Sequence, residues 1–480
     1  MTLYGVMALC VLIILGMPWL SRASPLAVGE GLLISALISM SWNAVELPGG
    51  FAPSDLLMVS AIGVLLVLAV GRSAALNIPI WISIPTLIMI VLALSHSVLP
   101  VSEAYLDQRF RTYSFTVRSG LEASVDARPL VSLIKWLVGF LALPVMFLLT
   151  RAQGLMLRPF VLAWALGIAA SCGVAVIDFF NVTNISENLL GVSFSGREAG
   201  LTAQPNHVAV SGVMALPVLL WWAASPGRFR LLRLVPLCLV LGGIFASGSR
   251  GGAAATVLVL ALSLKMAQVR RGAAWLLGAN VLGLPFVFGS TSDAFTGLAA
   301  QLRLSEIASI SSEISNGTRS SLARQGLADF IHRPVDGVGF QVLVEAHSIY
   351  LQLLASGGMI LLSVFLIYNV CAIRELWRAR KLHDELPLAL LISMGGWLVI
   401  GLVENQLTDR YLYVPAASAA VLWFLGNQRR ERWRSSERQA ATSGVLGSPL
   451  VGPPPLFPEC ERERHPRTID AADRAGSKGV

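Results

Sequence analysis

The chain has 480 residues, of which 55% are hydrophobic and only 13% charged, with a mean hydropathy of +0.69. Soluble globular chains carry about 25% charged residues, so an ordinary soluble domain is excluded. The formal net charge of +8 sits mostly in short connections between apolar runs, which reads as a membrane-topology signal and not as a nucleic-acid surface.

Apolar runs recur along the chain at lengths near the roughly 20 residues that cross a bilayer. They predict 12 or 13 spans, at residues 3–20, 26–44, 54–70, 78–99, 130–149, 159–180, 205–224, 231–245, 252–266, 273–288, 348–373, 386–403 and 412–425. The fold class is therefore all-α, a polytopic transmembrane helical bundle. The first run lacks a basic n-region and further spans follow it, so it reads as a first helix. One set of connections carries Arg72, then Arg151 and Arg158, Arg228 to Arg233, Arg270 and Arg271, Arg374 to Lys381, and Arg429 to Arg434. These alternate with loops of mixed sign at about 100–129, 181–204 and 291–347. The alternation places the basic set in the cytoplasm and the mixed set outside. Residues 1–434 form the membrane domain. Residues 435–480, with Pro453–Pro455 and many Arg, Glu and Ser, read as a disordered cytoplasmic tail.

The five cysteines have no metal-ligand or redox spacing and read as small apolar residues. Histidines and acids show no metal-ligand grouping, which predicts a metal-independent reaction and no cofactor. Polar groups near the outer ends of spans are costly in lipid and ask for a reason. Lys135, Asp178, Arg197, Asn206, His207 and Arg250 fall at a common depth and are expected to ring an outward-facing cavity. Snorkelling or helix–helix hydrogen bonding is the simpler alternative for any one of them.

Three corners stand out. Ser247-Gly-Ser-Arg250-Gly-Gly ends one span and opens the next, where backbone N–H groups, an arginine and a helix N-terminus suit phosphate or pyrophosphate. In the long outer loop, residues 296–310 read as a surface helix. Residues 318–332 read as a second helix with Arg319, Ala323, Gly326 and Phe330 on one face, followed by the turn-rich Pro334-Val-Asp-Gly-Val-Gly339. His347 then sits at the mouth of the next span, where an imidazole can act as a base near neutral pH.

The ordered set Gly200-Leu-Thr-Ala-Gln-Pro-Asn206-His207, Ser247-Gly-Ser-Arg250, Arg319 with Pro334-x-x-Gly-x-Gly339, and His347-Ser-x-Tyr-Leu resembles the O-antigen ligase and polymerase superfamily. The motifs cover roughly residues 170–363. The resemblance implies a GT-C-like glycosyltransferase in a bacterial inner membrane, using an undecaprenyl-pyrophosphate-linked glycan donor and a saccharide acceptor at the periplasmic face. It implies that Arg250 and Arg319 bind the pyrophosphate and that His347 activates or positions the acceptor hydroxyl. Arg197 and Asn206 match a motif of less defined role, and His207 and Lys135 are further candidates for substrate binding. The stretch Gly358-Met-Ile-Leu361 departs from the ligase pattern, leaving ligase, polymerase and protein glycosyltransferase open. A transporter or flippase for a lipid-linked or anionic solute is the alternative of a different class; such a protein would be expected to show pseudo-repeated halves.

Overall fold

In the computed structural model, the described residues are 24–45, 52–71, 77–99, 101–102, 104–105, 128–150, 157–194, 196–227, 229–272, 310–340, 346–380 and 385–442. The chain divides into two units, Met1–Gly426 and Asn427–Val480. The predicted spans 3–20 and 273–288, and the predicted surface helix up to residue 309, lie outside the described residues.

All regular elements among the described residues are helical, as the composition requires. They are α1 (Pro25–Ser39), α2 (Pro53–Gly71), α3 (Ile80–Val98), α4 (Arg128–Leu137), α5 (Leu143–Leu149), α6 (Leu157–Phe179), α7 (Ile185–Leu190), α8 (Pro205–Ala224), α9 (Leu234–Ala246), α10 (Arg250–Ser263), α11 (Ile310–His332), α12 (Ile349–Ala379), α13 (Leu386–Ile400) and α14 (Val414–Thr442). Five of them, α2, α3, α6, α8 and α12, are long and apolar enough to cross a membrane, and α1, α9, α10 and α13 are shorter apolar helices. The chain is a multi-pass helical membrane protein. Val59, Val67, Ile80, Leu87, Val91, Val257 and Val370 are each more than half exposed. Acyl chains are the natural solvent for such side chains.

The first unit is built around α8, which is almost wholly buried and packs against α6, α9, α10 and α13. Apolar burial alone does not drive helices together in lipid, so close packing must supply the attraction. Small residues provide it. A Cβ on Gly212 would lie 2.7 Å from Ile244, one on Gly243 2.5 Å from the Cβ of Cys172, and one on Gly252 2.5 Å from the Cβ of Ala209.

The span predicted at 130–149 is interrupted by a π-helical turn at Val138–Ala142 between α4 and α5. Pro144 is the cause, because it has no N–H to give the carbonyl four residues back. That carbonyl, on Phe140, accepts instead from the Tyr368 hydroxyl of α12 at 3.2 Å, and the two rings stack at 3.8 Å.

Two sequence-based boundaries move. Helix α11 begins at Ile310 and not at residue 318, so Arg319 lies inside the helix and not in its first turn. Its buried face is Leu322, Gln325, Gly326 and Asp329, while Ala323 is exposed. In the second unit α14 runs on to Thr442, beyond the predicted start of a disordered tail at 435. The Arg, Glu, Gln and Ala residues of 427–442 are good helix formers, and no Gly or Pro interrupts them. Residues 443–480 lie outside the described residues.

The loops of each predicted set meet members of their own set. Among the basic connections, Ala267 N–H donates to Glu385 at 2.6 Å and Ser225 Oγ to Gln268 at 3.1 Å. Among the others, Tyr105 donates to Asp329 at 2.8 Å, and Glu198 N–H donates to Ala246 at 3.0 Å.

Candidate functional site

The site is assembled on a short polar connection, Gly401 to Asp409, between α13 and the 3₁₀ turn Arg410–Tyr413. Only Leu402, Val403 and Thr408 of it are exposed. Burying so polar a segment requires partners for nearly every group, and three of those partners, Asn206, His207 and Arg319, come from the motifs singled out in the sequence. Trp136 of α4 and Tyr413 both donate to the Leu407 carbonyl, at 2.9 and 2.7 Å. Arg410 pairs with Asp55 at the start of α2, at 2.7 Å.

Asn206 and His207 occupy the first turn of α8, which Pro205 begins. Arg197 donates through Nε to the Ser247 carbonyl at 2.9 Å and through Nη2 to Asn206 Oδ1 at 2.5 Å. Asn206 Nδ2 then donates to Glu404 Oε1 at 2.8 Å. A guanidinium only donates and a carboxylate only accepts, so this chain fixes which way the Asn206 amide points. Arg319 of α11 reaches the same Oε1, its Nη2 lying 3.8 Å away. His207 Nδ1 lies 2.9 Å from Asp409 Oδ2, and Asn43 donates to the other Asp409 oxygen at 2.9 Å.

Burial acts alike on the two carboxyls of the connection, and their partners separate them. Burial raises the Glu404 carboxyl above the usual range, against the opposing pull of Arg319, His207, Asn206 and Arg197. Burial pushes Asp409 the same way, but the His207 imidazole and the Arg410 guanidinium outweigh it and hold that carboxyl below the usual range.

His347 stands immediately before α12, in a segment tied to the same connection. Ile349 N–H donates to the Gly401 carbonyl at 2.8 Å. Gln352 Oε1 accepts from Ala346 N–H at 2.8 Å and from Asn405 Nδ2 at 3.2 Å. The imidazole is half-buried and has no hydrogen-bond partner among the described residues. Burial, and then the charge of Arg319, lower its pKa below the usual histidine value. Both effects favour the neutral form of the imidazole, which carries a lone pair able to accept a proton.

The Pro334–Gly339 turn and the Gly357-Gly358 pair prove to be one device. Helix α12 breaks at the glycine pair, where Gly358 has φ 60°. The turn inserts its backbone there: Val338 N–H donates to Ala355, Gly339 N–H to Ser356 and Met359 N–H to Pro334, at 2.9, 3.0 and 2.9 Å. A Cβ on Gly337 would lie 2.4 Å from the Gly357 nitrogen, and one on Gly358 2.3 Å from the Val335 backbone. Glycine meets glycine because two backbones approach closer than side chains allow. Gly326 of α11 packs against the Leu351 side chain of α12, whose Cγ would lie 2.9 Å from a Cβ there. These contacts set Arg319 and His347 relative to each other.

Arg250 is the first residue of α10. Its neighbour Gly251 has Val403 3.5 Å from where a Cβ would lie, so the corner abuts the residue before Glu404. The Arg250 side chain is half-buried and makes no hydrogen bond or ion pair among the described residues. Ser249 caps the helix by accepting from Gly252 N–H at 3.2 Å. Lys135 precedes Trp136, which is bonded to the connection; no hydrogen bond or ion pair joins Lys135 itself to the site among the described residues.

Asp178 is held by the segment that follows it. It accepts from Thr183 Oγ1 and Ser186 Oγ, both at 2.5 Å, and from the N–H groups of Ile185 and Ser186 at 3.0 and 2.7 Å. It braces the start of α7, and none of these four partners is one of the arginines. Glu404, Asp409 and Arg410 were not singled out from the sequence. The signal was present: the alternation of loops assigns 404–411 to the same side as Arg250 and Arg319, and a run of six polar residues in seven, 404–410, between two spans needs buried partners. Among the described residues no group of three or more His, Cys, Asp and Glu side chains converges as a metal site requires. Neither a family model nor a curated protein matches the chain.

Proposed function

We propose that this protein is a GT-C-like membrane glycosyltransferase of the O-antigen ligase and polymerase type. It transfers a glycan from an undecaprenyl-pyrophosphate donor to a saccharide acceptor at the periplasmic face of the inner membrane. The observation that carries the reading is the pairing of Arg319, whose guanidinium makes no hydrogen bond among the described residues, with a half-buried His347 whose imidazole feels the Arg319 charge. A base and an anion-binding group side by side are what displacement of a diphosphate by a hydroxyl needs. His347 takes the acceptor hydroxyl proton, the oxygen attacks the anomeric carbon, and the bond from that carbon to the diphosphate oxygen breaks. Arg319 and Arg250 receive the charge that develops on the departing lipid diphosphate. Arg197, Asn206 and His207 brace the site; Lys135 stands at its edge.

The test is glycan transfer by the purified full-length protein in detergent or nanodiscs. It would use a synthetic undecaprenyl-diphosphate-linked glycan and a set of saccharide acceptors including lipid A core oligosaccharide. Product formation that depends on the lipid diphosphate supports the reading. Absence of transfer to every acceptor, with movement of the intact donor between leaflets instead, would replace it with a flippase.

A further inference from the structure

The arginines of the site are not equivalent. Arg197 directs its Nε and Nη2 donors into the protein, to Ser247 and Asn206. Arg319 makes no hydrogen bond among the described residues. Its ion-pair partner among the described residues is Glu404, at 3.8 Å, about 1 Å beyond the 2.7–2.9 Å of a charge-assisted hydrogen bond. The Arg319 side chain is 41% exposed and that of Glu404 only 11%. A sheltered carboxylate thus faces an open guanidinium, and attracts it without using up its donors. The same Glu404 oxygen is pinned from the other side by Asn206 at 2.8 Å. The charged and titratable groups around it are Arg319 from α11, His207 from α8 and Arg197 from the loop before α8.

We propose that Glu404 is a positioning residue for the diphosphate site: it aims Arg319 at the incoming anion and offsets its charge, so that the lipid diphosphate product can leave. Glu404 does not touch the reacting atoms in this scheme; it acts through Arg319. The inference rests on the glycosyltransferase reading for the identity of the ligand. A carboxylate beside an anion site opposes anion binding, so its removal has a signature that loss of folding cannot imitate.

The experiment measures inorganic pyrophosphate binding by calorimetry and glycan transfer by product formation, on the full chain in detergent. Glu404→Gln keeps the acceptor for Asn206 and removes the negative charge. It is expected to bind pyrophosphate about tenfold more tightly than wild type while transferring more slowly, opposite signs in the two assays. Equal or weaker pyrophosphate binding by Glu404→Gln, at unchanged thermal stability, overturns the proposal. So does a wild type that binds no pyrophosphate. If Glu404→Gln cannot be recovered folded, Glu404→Asp serves, since it keeps the charge but draws it back by about one bond length, 1.5 Å. That variant should bind pyrophosphate as wild type does and transfer more slowly; a wild-type transfer rate overturns the proposal. The two readings fail separately. A wild type without transfer sinks the glycosyltransferase function, while the shift in pyrophosphate affinity still decides the role of Glu404.

Discussion

His207 Nδ1 lies 2.9 Å from the Asp409 carboxylate, and Asp409 also accepts from Asn43 at 2.9 Å. Three separate stretches of chain, before α2, at the start of α8 and before α14, therefore meet on one buried acid. Breaking a buried pair by removing one partner costs about 3–5 kcal/mol, because the other polar groups are left without compensation. Asp409→Ala should lower the thermal unfolding temperature in detergent markedly, and Asp409→Asn less. An unchanged transition in the alanine variant would remove this network from the account of stability.

Arg319 and Arg197 should respond differently to truncation. Arg319 is open, so Arg319→Ala should lose roughly 10²–10³ in transfer rate, the cost of one anion-stabilising donor, with little change in thermal stability. Arg197 is bonded to the Ser247 carbonyl and to Asn206, so Arg197→Ala should lose stability as well as activity. Lysine at 319 should rescue only partly, since a point charge cannot reproduce a two-pronged donor. Paired activity and unfolding measurements decide it; equal stability losses in both alanine variants would contradict the distinction.

The acid limb of the transfer reaction should report His347. Burial and the Arg319 charge lower the imidazole pKa from its ordinary 6.5. The neutral form therefore persists to lower pH than in a free histidine, and protonation removes the lone pair that accepts the hydroxyl proton. Transfer should stay level near neutrality and fall only as pH drops below about 6.5. His347→Ala should lose roughly 10²–10⁴-fold at pH 7, the range of a general base, while keeping pyrophosphate affinity. A variant with near-normal turnover would leave His347 without a part in the reaction.

Gly358→Ala should displace the Pro334–Gly339 turn. The new Cβ would lie 2.3 Å from the Val335 backbone, at a residue with φ 60°, and backbone cannot swing aside as a flexible side chain does. Loss of transfer and faster proteolysis near residue 335 are expected. Gly31→Ala meets nothing within 4 Å and serves as the neutral comparison. Equal behaviour of the two would show that the glycine contact is dispensable.

Sidedness can be read with a thiol reagent that does not cross membranes, in whole cells and with the native cysteines replaced. Ser320 and Lys265 are both exposed, and the alternating basic loops place them on opposite sides. A cysteine at Ser320 should be labelled and one at Lys265 protected until the cells are opened. The reverse pattern would put the arginines and His347 in the cytoplasm and end the proposed reaction.

The sequence by itself determined where most of the helices lie. Hydropathy is local and adds along a segment, so α8 emerges at 205–224 and the glycine-serine corner before Arg250 emerges as the start of a helix. Local rules also read Arg319, His347 and Asn206 as polar groups with a purpose. What they could not decide is which of these groups face each other, because in a membrane bundle that depends on helix rotation and on close backbone approach. Only the tertiary structure made the Pro334–Gly339 turn and the Gly357-Gly358 break a single joint, and sent Asp178 to cap a loop. It also put Glu404 at the centre. In sequence that residue is the polar end of an apolar span, and its meaning came from Asn206 and Arg319, nearly 200 and 85 positions away.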